Sequence, residues 1–225
     1  MHFPTAILSL ALSSFAVAAP TATISSSDVT PAQLVAIAPQ SVSCANVTSF
    51  ASECRTAQQA APFLNAAFAQ YQTESVGQKA ALLSLIAFET GDFRFNINHF
   101  PGRAGQGTRN LMMFPFVWKY ALDTPEVAPQ AQALAPGFTA SSTVGDLNNA
   151  SNSTKIGVLN LVLDDKFSWA SASWFLATQC NPSVSAALDT ATEAGWESYI
   201  TQCIGTTVTD DRKAVYTAAL AALSP

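Results

Sequence analysis

The stretch that most constrains this chain is residues 78–89, where positions 80–88 are apolar except for Ser84. As a helix, such a run has no face to give to water and belongs in the middle of a core. Helical spacing recurs elsewhere. Residues 56–71 place Ala60, Phe63, Leu64, Ala67 and Phe68 on one face. Residues 111–122 read as a helix whose first turn is set by Pro115. Further helices are expected over 154–163, 168–179, 193–204 and 210–223, the last capped by Thr209 or Asp210. Residues 31–37 read as a short helix and 123–138 as short helices or loop. No stretch alternates apolar and polar side chains over the length of a strand. The expected class is all-α, with one small β-hairpin at most in the glycine-rich segment 93–110.

The first residues are of a different kind. Residues 3–19 are almost wholly apolar or small and end in Val17-Ala18-Ala19. That run is shorter than the ~20 residues an anchor needs and has the small side chains of a signal-peptidase site. Residues 1–19 are read as a signal peptide, 20–40 as a flexible Ser/Thr-rich leader, and 41–225 as one helical domain. The expected destination is extracellular. Four cysteines, Cys44, Cys54, Cys180 and Cys203, fit two disulfides in that setting. Three pairings are open; the local one, Cys44–Cys54 with Cys180–Cys203, is favoured. Sequons at Asn46, Asn149 and Asn152 fit a eukaryotic secretory route, the last two in a polar run, 141–155, read as an exposed loop.

Charge excludes several partners. Only 11% of residues are charged, the net charge is −5, and Lys and Arg are scattered singly. Nucleic acid and anionic membrane surfaces both demand clustered positive charge. No cofactor is expected. No two cysteines have the spacing of a zinc site, and His99 is the one histidine beyond the signal segment. His99 lies in the glycine-rich segment, where contact with substrate is one reading and a surface or loop-capping role is the expected one. A monomer is expected.

Glu89 is the most informative residue. It ends the most apolar helix of the chain, just before the helix-breaking pair Thr90-Gly91. A carboxyl there emerges at the edge of the core. Partial burial and the C-terminal end of a helix dipole favour the protonated form of such a group, which can then donate to a leaving group. The structural alternative is an ion pair with Arg94, Arg103 or Arg109.

The run Leu82-Leu83-Ser84-Leu85-Ile86-Ala87-Phe88-Glu89-Thr90-Gly91-Asp92-Phe93 resembles the catalytic helix of the lysozyme-like superfamily, in which such a Glu is the general acid. The segment Gly105-Gln106-Gly107-Thr108-Arg109-Asn110-Leu111-Met112-Met113-Phe114-Pro115, with Trp118 and Tyr120, resembles the cleft-lining segment of lytic transglycosylases and family 19 chitinases. Trp169-Ala170-Ser171-Ala172-Ser173-Trp174-Phe175, and the region of Arg212 and Tyr216, are similar to later helices of the chitinases. The resemblance implies a glycoside hydrolase acting on β-1,4-linked N-acetylhexosamine polymers, with a polysaccharide or oligosaccharide as its ligand. Glu89 would be the acid, Asp92 the second carboxyl, and Asn98, Gln106, Thr108, Asn110 and Tyr120 the substrate-binding groups. Two departures favour an alternative, a non-catalytic carbohydrate-binding or host-interaction protein on the same scaffold. Phe88 stands where the chitinases have His, and no second Glu follows in the loop, only Asp92. Inverting enzymes hold their two carboxyls about 6.5 to 9.5 Å apart. Of the aromatic side chains flanking the segment, about two-thirds are expected in the core.

Overall fold

The structure, a computed structural model, describes residues 28–224. The signal-peptide reading lies outside those residues, as do the first residues of the leader reading, 20–27. The described part of the leader carries helix α1 (Pro31–Ile37), whose Leu34 and Ile37 are buried. A single-turn 3-10 helix (Pro39–Val42) follows, and a second one spans Ala51–Glu53. Next come α2 (Ala57–Gln70) and α3 (Val76–Thr90). After an irregular segment, α4 (Phe114–Leu122), α5 (Ala128–Leu134), α6 (Val144–Asn148) and α7 (Asn152–Leu161) form one group. The chain closes with α8 (Asp165–Ser168), α9 (Ser171–Gln179), α10 (Pro182–Leu188), α11 (Glu193–Ser198) and α12 (Asp210–Leu223). The fold is all-α, as expected.

The apolar run forms the central helix. Nearly every side chain of α3 from Gly77 to Ala87 is buried, including Leu82, Leu83, Leu85 and Ile86. Ser75 caps its start, its hydroxyl accepting from the Gln78 N–H at 3.1 Å. Helix α12 packs along α3, and α1, α9 and α10 also touch it. The core extends from Val29 to Ala219 and includes all four tryptophans. Both favoured disulfides form, Cys44–Cys54 and Cys180–Cys203. Among the described residues no helix is long and apolar enough to cross a membrane.

Three readings need correction. The hairpin does not form: segment 93–110 makes only isolated bridges, Ile97 with Gly107 and Gly107 with Met112. The loop read over 141–155 contains α6 and the start of α7. A capping box, in which Thr143 and Asp146 exchange bonds, and the Ser151 cap give that polar sequence helical starts. The helix read over 193–204 changes winding midway. Residues Tyr199–Ile204 make a π-helical turn that ends at Gly205. The three sequon asparagines are exposed.

Close approach at one glycine sets how α10 meets the start of α3. A Cβ on Gly77 would collide with the Leu188 carbonyl oxygen and lie 2.9 Å from the Ala191 Cα. Gly77→Ala is expected to destabilise the protein by about 2 kcal/mol in denaturant unfolding, since backbone must move. A Cβ on Gly137 meets nothing within 4 Å, so Gly137→Ala should stay within about 0.5 kcal/mol of wild type. Equal effects would contradict this packing.

Candidate functional site

Glu89 is placed by the way α3 stops. Gly91 takes the left-handed conformation at φ 59°, and its N–H returns to the carbonyls of Ala87 and Phe88. The Thr90 hydroxyl donates to the Ile86 carbonyl at 2.6 Å and accepts from the Phe93 N–H at 2.9 Å. Thr90 is thus turned into the core. Glu89, one position earlier, leaves at the surface of a groove with its side chain 21% exposed.

Its partner is none of the three expected arginines. Arg212, in the first turn of α12, donates from Nη2 to Glu89 Oε1 at 2.8 Å. The guanidinium also covers the Phe88 ring, 4.1 Å from its centroid. Its other terminal nitrogen, Nη1, is buried and has no hydrogen-bond partner among the described residues. Below lies Tyr199, fully buried and likewise without a partner for its hydroxyl. Burial pushes that hydroxyl's pKa well up, and the charge of Glu89 pushes it further the same way.

Glu89 and Leu111 stand between two hollows and line both. One, of about 220 Å³, is walled chiefly by apolar groups, among them Phe50, Phe95, Ile97 and Phe100, with His99 at its side. The other, of about 370 Å³, is more polar and holds Arg103, Gln106, Asn110 and Arg212. Together they make a groove, apolar at one end and polar at the other, with a salt-bridged carboxylate at the junction. A larger hollow of about 510 Å³ lies elsewhere, by Asn65, Phe68 and Glu74, away from this cluster.

The groove wall is an irregular segment held by a buried cation. Arg109 is 0% exposed. It donates to the carbonyls of Phe93 at 3.0 Å, Phe95 at 3.2 Å and Glu53 at 2.7 Å. Its guanidinium lies 3.6 Å from Asp165 and 4.5 Å from the centre of the Trp169 ring. Burial lowers its pKa to about 10, with Asp165 opposing the drop, so it stays charged at neutral pH. Asp165 in turn binds Arg55 at 2.5 Å and the Trp169 indole at 3.1 Å. The Glu53 carboxylate accepts from the N–H groups of Asn96 and Ile97 and contacts His99 Nε2 at 2.8 Å.

The expected site residues divide. Asn98, Gln106 and Asn110 line the groove. Asn98 donates to Gln106 at 2.6 Å, and Gln106 to the Leu111 carbonyl at 3.0 Å. Asn110 accepts from Thr108 and Ser171 through its oxygen, which leaves its amide nitrogen unengaged by them. Asp92 does not join Glu89: the positive φ of Asp92, 61°, turns the chain, and its carboxylate accepts from the Gln40 N–H at 3.0 Å. Thr108 is wholly buried, its hydroxyl spent on Asn110. Tyr120 is a core residue whose hydroxyl donates to the Phe167 carbonyl at 2.6 Å. Phe93, Phe114, Trp118 and Tyr120 are buried, while Phe100 is 88% exposed. Two features were missed, the Arg212 partner and the Glu53–His99 pair. Both join residues far apart in sequence.

The fold and groove define an all-α protein with an ion-paired carboxylate between an apolar and a polar hollow. No protein family's sequence profile matches the chain, and no solved structure matches it. The chain is 40% identical over 149 residues to a bifunctional dioxygenase–epoxy alcohol synthase of Fusarium oxysporum (strain Fo5176). The match takes in 66% of this chain and 11% of that protein, so the chain spans about a tenth of its relative's length. That relative is an enzyme by its name, and its chemistry is oxygen chemistry. The similarity overturns the lysozyme-like reading and the glycoside hydrolase it implied, and lends no support to the carbohydrate- or host-binding alternative.

Dioxygen is handled by metal, haem or flavin groups. Among the described residues no three His, Cys, Asp or Glu side chains gather to hold a metal ion. The four cysteines are in disulfides.

Removing Arg109 leaves three carbonyls and Asp165 without their buried donor. Arg109→Met is expected to cost about 3 to 5 kcal/mol in denaturant unfolding. Arg109→Lys should recover less than half of that, because an ammonium cannot reproduce the fork. Wild-type stability of both variants would contradict the anchoring role.

Proposed function

We propose that this chain is an enzyme module whose groove takes a small, oxygen-bearing, largely apolar molecule of the epoxy-alcohol class and moves a proton at one of its oxygens. One observation carries the reading: the Glu89 carboxylate sits where an apolar hollow meets a polar one, gripped by Arg212. The relative's printed name adds support, since an epoxy alcohol is the product it names. Such a molecule joins hydrocarbon to clustered oxygens, and the groove has a matching division.

Glu89 is the base in this reading. Its carboxylate accepts a proton from water, and that water attacks an epoxide carbon. Arg212 fixes the carboxylate's direction through the 2.8 Å bond. Phe95, Ile97 and Phe100 receive the hydrocarbon, while Gln106, Asn110 and Arg103 face its hydroxyl end. Arrangement near the attack geometry supplies much of such a rate. Export is proposed with it, supported by the two disulfides and the exposed sequons.

The test is consumption of an aliphatic epoxy alcohol, followed by mass spectrometry for the added water. Glu89→Gln keeps the shape and removes the base. It is expected to lower the rate about a hundredfold or more. Arg212→Gln is expected to lower it less, with a raised KM. Equal rates in wild type and Glu89→Gln would overturn the assignment.

A further inference from the structure

Opening an epoxide with water takes two proton transfers. A base removes one from the water, and an acid gives one to the ring oxygen. Glu89 can serve only one of these at a time, which directs attention to the other titratable group on the apolar hollow. That group is His99. Its ring lies flat against Phe50, with centroids 3.3 Å apart and planes 6° apart, and edge-on to Phe95 at 6.0 Å. Its Nε2 is 2.8 Å from Glu53 Oε1. The side chains of His99 and Glu53 are only 17% and 12% exposed.

Glu53 is itself immobilised. Its second carboxylate oxygen accepts the N–H groups of Asn96 at 2.9 Å and Ile97 at 3.2 Å. Its backbone carbonyl accepts from buried Arg109. A carboxylate held in this way favours the proton on Nε2 and leaves Nδ1 as the ring nitrogen with no hydrogen-bond partner among the described residues. This is an imidazole oriented by a carboxylate and stacked on an aromatic ring. It stands on the same hollow as Glu89. A loop-capping histidine has no need of such an arrangement.

We propose that His99 is the second catalytic residue of the groove, the acid that protonates the opening ring oxygen, and that Glu53 is its positioning residue. The proposal rests on the reading of Glu89 as base. The step balances as follows. Water gives a proton to the Glu89 carboxylate as its oxygen bonds to an epoxide carbon. The carbon–oxygen bond of the ring breaks, with its electron pair staying on the ring oxygen. That oxygen takes the Nδ1 proton of the His99 imidazolium. The product is a vicinal diol, leaving neutral His99 and protonated Glu89, which return to their starting states by exchange with solvent. Glu53, from the 3-10 turn Ala51–Glu53, touches His99, and Glu89, from the end of α3, lines the same hollow.

The experiment has two arms, each using the full chain and an aliphatic epoxy alcohol as probe. In the first, nitrogen NMR follows the His99 ring of the wild-type protein as the probe is added. Nδ1 should shift while Nε2, held by Glu53, stays in place. No shift at Nδ1 overturns the proposal, whether or not turnover occurs. In the second, the rate is measured against pH. Wild type should lose activity toward alkaline pH. His99→Gln should be slowed about a hundredfold and lose that alkaline limb. Glu53→Gln should release Nε2, so that both ring nitrogens shift when the probe is added, whereas a merely structural residue would leave Nε2 in place. If Glu89→Gln is inactive while His99→Gln keeps the wild-type rate and profile, the Glu89 reading stands and the His99 role falls. If Nδ1 shifts but Glu89→Gln is fully active, His99 stays in the site and the base is misassigned.

Discussion

The groove depends on one buried cation. Segment 93–110 has almost no regular hydrogen bonding, only isolated bridges around Gly107. A segment that cannot use a helix or sheet ladder must satisfy its carbonyls in other ways. Arg109 does this from inside, reaching Phe93, Phe95 and Glu53 with one planar fork. Asp165 and the Trp169 ring balance its charge from the other side. A buried ion pair is often no more stabilising than packed hydrocarbon, but breaking it by removing one partner is costly. Here it joins the turn before α2, the groove wall and α8 in one fixed relation. The Glu53 carboxylate, and through it His99, inherits that position.

The second constraint is the pairing of α3 with α12. Helix α3 is too apolar to lie anywhere but at the centre, so its polar end is a small window on the surface. Arg212 closes that window from the first turn of α12, holding Glu89 and covering Phe88. The π-helical turn before α12 brings Ile204, Gly205 and Thr206 to the same hollow. A change of winding is a common way to place residues that a straight helix would carry past a site.

Much of the fold was legible. Helices α2, α3 and α12 followed from periodicity and caps, and the local cysteine spacing matched the observed bridges. Helix α10 was missed because its short Pro-Ser-Val-Ser sequence carries little period. The polar stretch with α6 was read as loop because a capping box can start a helix in a sequence with almost nothing to bury. Glu89 was visible as an acid at the end of an apolar run. Its partner was not, because Arg212 is 123 residues away and three nearer arginines competed for the role. His99 likewise needed Glu53, 46 residues earlier. The Glu-Thr-Gly motif misled for a physical reason. Thr90 ties back to Ile86 and Phe93, and Gly91 takes the left-handed turn. Those two residues are what a buried helix needs in order to stop, so the motif describes a helix end before it describes a chemistry.

The account's central claim is that Glu89 is a reactive carboxylate inside a groove that accepts an oxygenated apolar molecule. Covalent labelling with a simple aliphatic epoxide tests it most directly. A carboxylate oxygen bonds to an epoxide carbon, the ring opens, and the ring oxygen takes a proton, which leaves a stable hydroxyalkyl ester that peptide mass spectrometry can locate. The account predicts one ester, on Glu89, formed more slowly when an epoxy alcohol occupies the groove. Labelling spread over the exposed acids, or absent from Glu89 while they react, would contradict it.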